Sequence, residues 1–285
     1  MKLSNRRPDE GINATDEHPL REFAWLMAGT VAAVIAAVFL VTVGARWLAP
    51  KVPYRYEARL AQSLGVDALL GDAQGDARGQ DARLALQALA DRLARRMRLP
   101  EGMSVKVAYL DTATVNAFAT LGGHTGFHRG LIERLDSEDA LAAVMAHELA
   151  HLAHRHPVAS VSSGLAVGLL LSVVSGSSAG AALGGAGELT LRSFSREQER
   201  EADREAMRVV AEEYGHLGGA IDLFDAFERA TGGGAGIEWL HTHPASVRRG
   251  DAVREWARTH GVPIDGARTQ LPPALVALRR TGTAR

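Results

Sequence analysis

The chain has 285 residues, 46% of them apolar and 23% charged, which allows one large domain or two small ones of ordinary globular composition. A formal net charge of −1 gives no electrostatic case for a nucleic-acid partner. The absence of cysteine excludes disulfides and thiolate metal ligands, and leaves the redox compartment open.

In chain order, a charged tail over residues 1–22 precedes an uninterrupted charge-free run of 23 residues from Phe23 to Ala45. As a helix this run extends about 34 Å, enough to cross a bilayer. Trp25 and Trp47 sit near its ends, where interfacial aromatics belong. The long run and its charged preamble favour an uncleaved transmembrane anchor over a signal peptide or a buried core helix. Lys2, Arg6, Arg7 and Arg21 precede it and Arg46, Lys51, Arg55 and Arg59 follow, so the positive-inside rule returns a balance. Because a short N-terminal tail is typical of signal anchors, the expectation is a cytoplasmic N-terminus, a single pass through the inner membrane and the remainder of the chain on the extracytoplasmic side.

Residues 54–100 predict a helical lead-in broken at Gly71 to Gln80. Within it, Arg83 to Met97 places Leu84, Leu86, Leu89, Leu93 and Met97 on an apolar side that should pack on the following domain. Arg92, Arg95, Arg96 and Arg98 read as a solvated face. A domain is expected over 101–262, opening with the β-pattern Val105 to Leu110.

The most informative feature of that domain is His147-Glu148-Leu149-Ala150-His151, the HExxH arrangement. Positions i and i+4 of a helix differ by about 40° around the axis and about 6 Å along it, so both imidazoles can reach one ion, with Glu148 beside it as a general base. The preceding sequence is rich in helix formers; Asp136 or Ser137 can cap the helix, and Pro157 is expected to stop it. Zinc in a hydrolytic site takes three protein ligands and leaves a fourth position to water. An extended HExxHxxGxxH site would need Gly at 154 and His at 157, where this chain has His154 and Pro157. Carboxylates remain, and Ser195 to Asp203 is dense with them, opening with a Ser195/Gln198 capping box that predicts a second helix.

HExxH followed about fifty residues later by Glu-x-x-Ala-Asp resembles the HtpX-like, CAAX-endopeptidase-like gluzincin family of zinc metallopeptidases, and in particular its single-span bacterial envelope members. Val115 to Ala119, Gly122-Gly123, Arg129-Gly130-Leu131 and His243-Pro244 with Arg249 are similar to further elements of the family. The likeness therefore runs from about residue 105 to 250. It implies a mostly α-helical α+β gluzincin domain with a small β-sheet beside the HExxH helix, preceded by one transmembrane helix. It also implies one zinc ion held by His147, His151 and Glu199, with Asp203 and Arg249 supporting the ligands. Glu148 and His243 would be the catalytic pair, His243 assisting the transition state or plugging the open position. Glu201 and Glu197 lie around the helix from Glu199 and are expected to be solvated charges. His154 and His156 are expected at the surface or the helix end, and His241 is a weaker candidate than His243.

By the same likeness, Asn116, Ala117, Phe118 and Ala119 form an edge on which an extended substrate could add as a strand. The charge-free stretch Val158 to Gly187 is expected to be a buried helix plus a lid over the cleft, against a membrane hairpin. Ile221, Leu223, Phe224 and Phe227 read as core, Thr231 to Gly236 as a loop and residues 263–285 as a loosely attached tail. The function implied is a membrane-anchored zinc metalloendopeptidase acting on unfolded or misfolded proteins in membrane or envelope quality control. The alternative is a non-catalytic, chaperone-like zinc-binding module that recognises exposed strands, and CAAX processing is disfavoured because one or two spans cannot build its chamber. Residues 23–45 are the membrane contact, and no nucleic-acid partner is expected.

Overall fold

The computed structural model describes residues 19–71, 76–175, 194–231, 239, 243 and 249–279. Helix α1, Pro19–Leu48, is the one helix long and apolar enough to cross a membrane among those residues, and none of its described side chains is buried. A short 3-10 turn, Ala49–Lys51, leads to α2, Tyr54–Ser63, α3, Val66–Gly71, and α4, Ala77–Ala94.

The sheet has three strands, β1 Lys106–Leu110, β2 Ala117–Thr120 and β3 His124–His128, in the order β1-β3-β2. β3 runs parallel to β1 and antiparallel to β2, so β2 is an edge. The turn between β2 and β3 needs Gly122, whose φ of 74° is left-handed and whose added Cβ would lie 2.7 Å from the Cβ of Ala61.

After α5, Arg129–Ile132, comes the central helix α6, Glu138–Ala153. Of the two caps the sequence offers, Ser137 accepts from the backbone of Ala140, and Glu138 and Asp139 sit in the positive first turn. Apolar residues surround α6 on all sides, as befits a helix packed by α4, β2 and the later helices at once.

Helix α6 does not run to Pro157. It ends at Ala153, and Arg155 takes a φ of 59°, the one positive value outside glycine among the described residues. Such a conformation costs a non-glycine residue roughly 1–3 kcal/mol and breaks the helical path. Pro157 then falls in the first turn of α7, His156–Ser175, where its missing N–H is no loss. Helix α7 packs against α1, and its opening residues Val158, Ala159 and Val161 are buried, while residues 176–187 of the expected lid lie outside the described residues.

Helix α8, Arg196–Tyr214, starts at a complete Ser195/Gln198 capping box and ends at left-handed Gly215. Helices α9, Gly218–Thr231, α10, Arg249–His260, and α11, Pro273–Arg279, complete the core. Gly219 lets α9 approach α6 so closely that an added Cβ would stand 2.4 Å from the Cβ of Asp139.

Two packing expectations change. Leu84 is 56% exposed, because it lies about 200° around α4 from Leu86; the buried face is Ala82, Leu86, Leu89, Ala90 and Leu93. The chain after Pro263 is no loose tail over its described part. Leu271, Leu275 and Leu278 are buried, α11 packs on α4, and at the start of α6 the Glu138 N–H donates to Thr269 O while the Thr269 N–H donates to Asp139 Oδ1.

Candidate metal centre

His147 and His151 stand one turn apart on α6, and their Nε2 atoms are 3.1 Å from each other. The capping box starts α8 so that Glu199 lies in its first turns, bringing its carboxylate 3.4 Å from His147 Nε2 and 3.5 Å from His151 Nε2. His243 adds a fourth donor: its Nδ1 is 3.2 Å from His147 Nε2 and 3.1 Å from Glu199 Oε1. All four residues are buried. A tetrahedral ion with bonds of about 2.1 Å places its ligands about 3.4 Å apart, so this nitrogen and oxygen set fits a zinc-sized ion.

Glu148 is fully buried and points to the same place. Its Oε1 accepts from Trp239 Nε1 at 3.0 Å and lies 3.4 Å from His243 Nε2. Its Oε2 is buried without a hydrogen-bond partner among the described residues, a poised acceptor beside the donor set. The Trp239 backbone N–H also donates to Val115 O, and His243 N–H donates to Trp239 O. Trp239 thus ties the start of the edge strand, Glu148 and His243 together.

The outer nitrogens of both α6 histidines are held. His147 Nδ1 is 2.9 Å from Asp203 Oδ1, one turn along α8 from Glu199. Arg249, from the start of α10, donates to Glu199 at 2.5 Å, lies 3.3 Å from Asp203 and packs 4.9 Å over the Trp239 ring. His151 Nδ1 is 2.8 Å from Nδ1 of His156, whose Nε2 is 3.1 Å from Glu201 Oε2. This corrects two expectations: His156 is 4% exposed rather than a surface residue, and Glu201, though partly exposed, is its partner. His154 is exposed, as expected. Phe194 stacks on His151 at 3.9 Å and closes the site from α8's side.

These contacts set the charge of the metal-free site. Burial works against a charged His147, but Asp203 and Glu199 overcome it and raise its pKa to about 9. Burial and the neighbouring His147 and His243 push His151 well below its ordinary value. Glu199 is partly desolvated, yet hydrogen bonds from His147 and His243 hold it well below the usual carboxylate range. Without a metal, Asp203 and Glu199 therefore favour the protonated form of His147.

Asn116, Ala117, Phe118 and Ala119 lie beside α6 at the start of β2 and within it, with Phe118 the least buried. His128 N–H donates to Asn116 O, so pairing alternation turns the main-chain groups of Ala117 and Ala119 away from β3. Val115 O on that outer side already accepts from Trp239. His241 and Pro244 lie outside the described residues.

Two imidazoles one turn apart, a glutamate between them and a third donor from a facing helix define a metallopeptidase type of donor site. The chain belongs to peptidase family M48, whose family profile matches residues 81–257, more than half of the chain. It is 31% identical over 152 residues to the mitochondrial metalloendopeptidase OMA1 of Schizosaccharomyces pombe, covering 50% of this chain and 44% of that one. It is 36% identical over 110 residues to a putative beta-barrel assembly-enhancing protease of Vibrio cholerae, covering 34% of this chain and 23% of that one. The corresponding Escherichia coli beta-barrel assembly-enhancing protease is 34% identical over 109 residues, 34% of this chain and 22% of that one. The chain thus aligns with less than half the length of these curated relatives.

Proposed function

We propose that this protein is a membrane-anchored zinc metalloendopeptidase that hydrolyses peptide bonds of unfolded or misfolded membrane or envelope proteins. The observation that carries it is the buried convergence of His147, His151 and Glu199 at tetrahedral spacings, with Glu148 Oε2, which has no hydrogen-bond partner among the described residues, beside them. Zinc held by these three residues would supply an acidified water and a Lewis acid for the scissile carbonyl. Glu148 would serve as the general base toward a water held there and as the acid that protonates the leaving amine. Asp203 and His156 accept from the outer nitrogens of His147 and His151 and fix their tautomers, and Arg249 neutralises the Glu199–Asp203 pair. His243, the fourth residue of the cluster, would serve as a plug over the open position or as a donor to the developing oxyanion. Ala117 and Ala119 offer main-chain groups to an extended substrate.

The test is casein cleavage by the zinc-supplied full chain in detergent, wild type beside Glu148→Gln. Loss of a general base should cost roughly 10²–10⁴ in turnover with zinc retained. A Glu148→Gln chain that cuts at the wild-type rate would refute the mechanism. A wild type that binds zinc and unfolded casein without cutting it would favour the non-catalytic binding module.

A further inference from the structure

Between the two halves of the metal site and the membrane helix lies a buried ion pair that the chemistry above does not use. Arg155 and Glu57 are 6% and 3% exposed, although they are far apart in the chain. Arg155 Nε donates to Glu57 Oε2 at 2.7 Å, and Arg155 Nη1 donates to Val52 O at 2.9 Å. The other oxygen of Glu57 accepts from Gly122 N–H at 3.0 Å, and Tyr54 Oη donates to Gly122 O at 2.9 Å. Residues 52–57, which follow α1 and its 3-10 turn, therefore grip both the turn that closes the edge strand and the residue that ends the catalytic helix.

That residue is in the left-handed region with a side chain, at φ 59°. The conformation persists only where surroundings impose it. Its effect is to fold His156 back onto α6, where the His156 Nδ1 lies 2.8 Å from His151 Nδ1. With His151 Nε2 on a metal, its proton must sit on Nδ1, so His151 donates to His156 and His156 passes its own N–H to Glu201. A continued helix would carry His156 five residues on from His151, well around the axis and out of reach.

The geometry points to Arg155 and Glu57 as positioning residues of the metal site: the juxtamembrane segment clamps a left-handed turn that seats His156 against His151. This rests on the zinc reading above. It makes the segment between the anchor and α3 part of the metal-binding unit rather than a spacer.

The test measures zinc affinity of the full chain in detergent by competition with a chromophoric chelator, with circular dichroism to confirm folding. Arg155→Ala should weaken zinc roughly 10–100-fold, the range found when the partner of a ligating histidine is lost. In a His156→Ala background the same substitution should change affinity less than roughly twofold, because the clamp acts through His156. Arg155→Lys, which keeps the charge on Glu57, should recover much of the loss, and Glu57→Gln should weaken zinc by the same route. Leu86→Ala, a core truncation on α4, should lower stability and leave zinc affinity unchanged. If Arg155→Ala does not fold, Glu57→Gln completes the same cycle with His156→Ala. Wild-type affinity in folded Arg155→Ala or Glu57→Gln, or an equal penalty with His156 absent, overturns the inference alone. A wild type that binds no zinc overturns the metallopeptidase reading together with it.

Discussion

His147 is asked to do two things that compete: as a ligand it must present a bare Nε2, yet without metal Asp203 and Glu199 hold a proton on it up to a pH of about 9. Its pKa is raised above the ordinary 6.5, so the protonated ring stabilises the metal-free fold fully below that value, and the contribution is lost as pH rises through about 9. Zinc bound there would compete with that proton. Affinity should therefore climb as pH rises toward 9, with about one proton released per ion near neutrality. Calorimetry at pH 7.5 in buffers of different ionisation enthalpy checks this, and zinc uptake with no proton release would contradict it. Asp203→Asn removes the charge that orients His147 and should weaken zinc roughly 10–100-fold with the fold retained, read by the same chelator competition. At this scale the sequence shows His147, Glu148 and His151 because one helix and one spacing place them together. His156 is hidden because its role depends on the backbone angle of Arg155, which no local propensity predicts. Trp239 is hidden too, since its contacts to Val115 and Glu148 come from distant parts of the chain.

Among the elements, α6 and α8 were readable in advance from caps and periodicity: Ser137 starts one, the Ser195/Gln198 box starts the other, and both are local signals. The burial of Leu86, Leu89 and Leu93 follows from helical period, whereas Leu84 misled because apolarity alone does not fix a face. The last segment illustrates the opposite limit. Its seven-residue helix α11 is too short to announce itself, yet Leu271, Leu275 and Leu278 fill the core beside α4 and residue 269 braces the start of α6. Truncation after Val262 should remove three buried leucines, costing on the order of 4 kcal/mol and lowering Tm by roughly 10 °C. An unchanged Tm would show the segment to be dispensable.

For the whole molecule, the fold class that the family likeness implies is what the structure has: helices around a small sheet, with a long apolar helix in front. The membrane arrangement is less legible, because basic residues balance across the span. A cytoplasmic N-terminus predicts that alkaline phosphatase fused after residue 285 is active and a cytoplasmic reporter there is silent; the reverse pattern would place the metal centre in the cytoplasm. Either way, the clamp at Glu57 and Arg155 ties the site to the chain leaving the anchor, and α7 carries it back to α1. The measurement that bears most directly on the account is turnover of an unfolded protein against zinc occupancy, from metal-stripped full chain titrated with zinc. Hydrolysis should rise in proportion to occupancy, saturate at one zinc per chain and stay at background in Glu148→Gln at equal occupancy. Hydrolysis by the stripped chain, or equal turnover in the zinc-loaded Glu148→Gln variant, would contradict it.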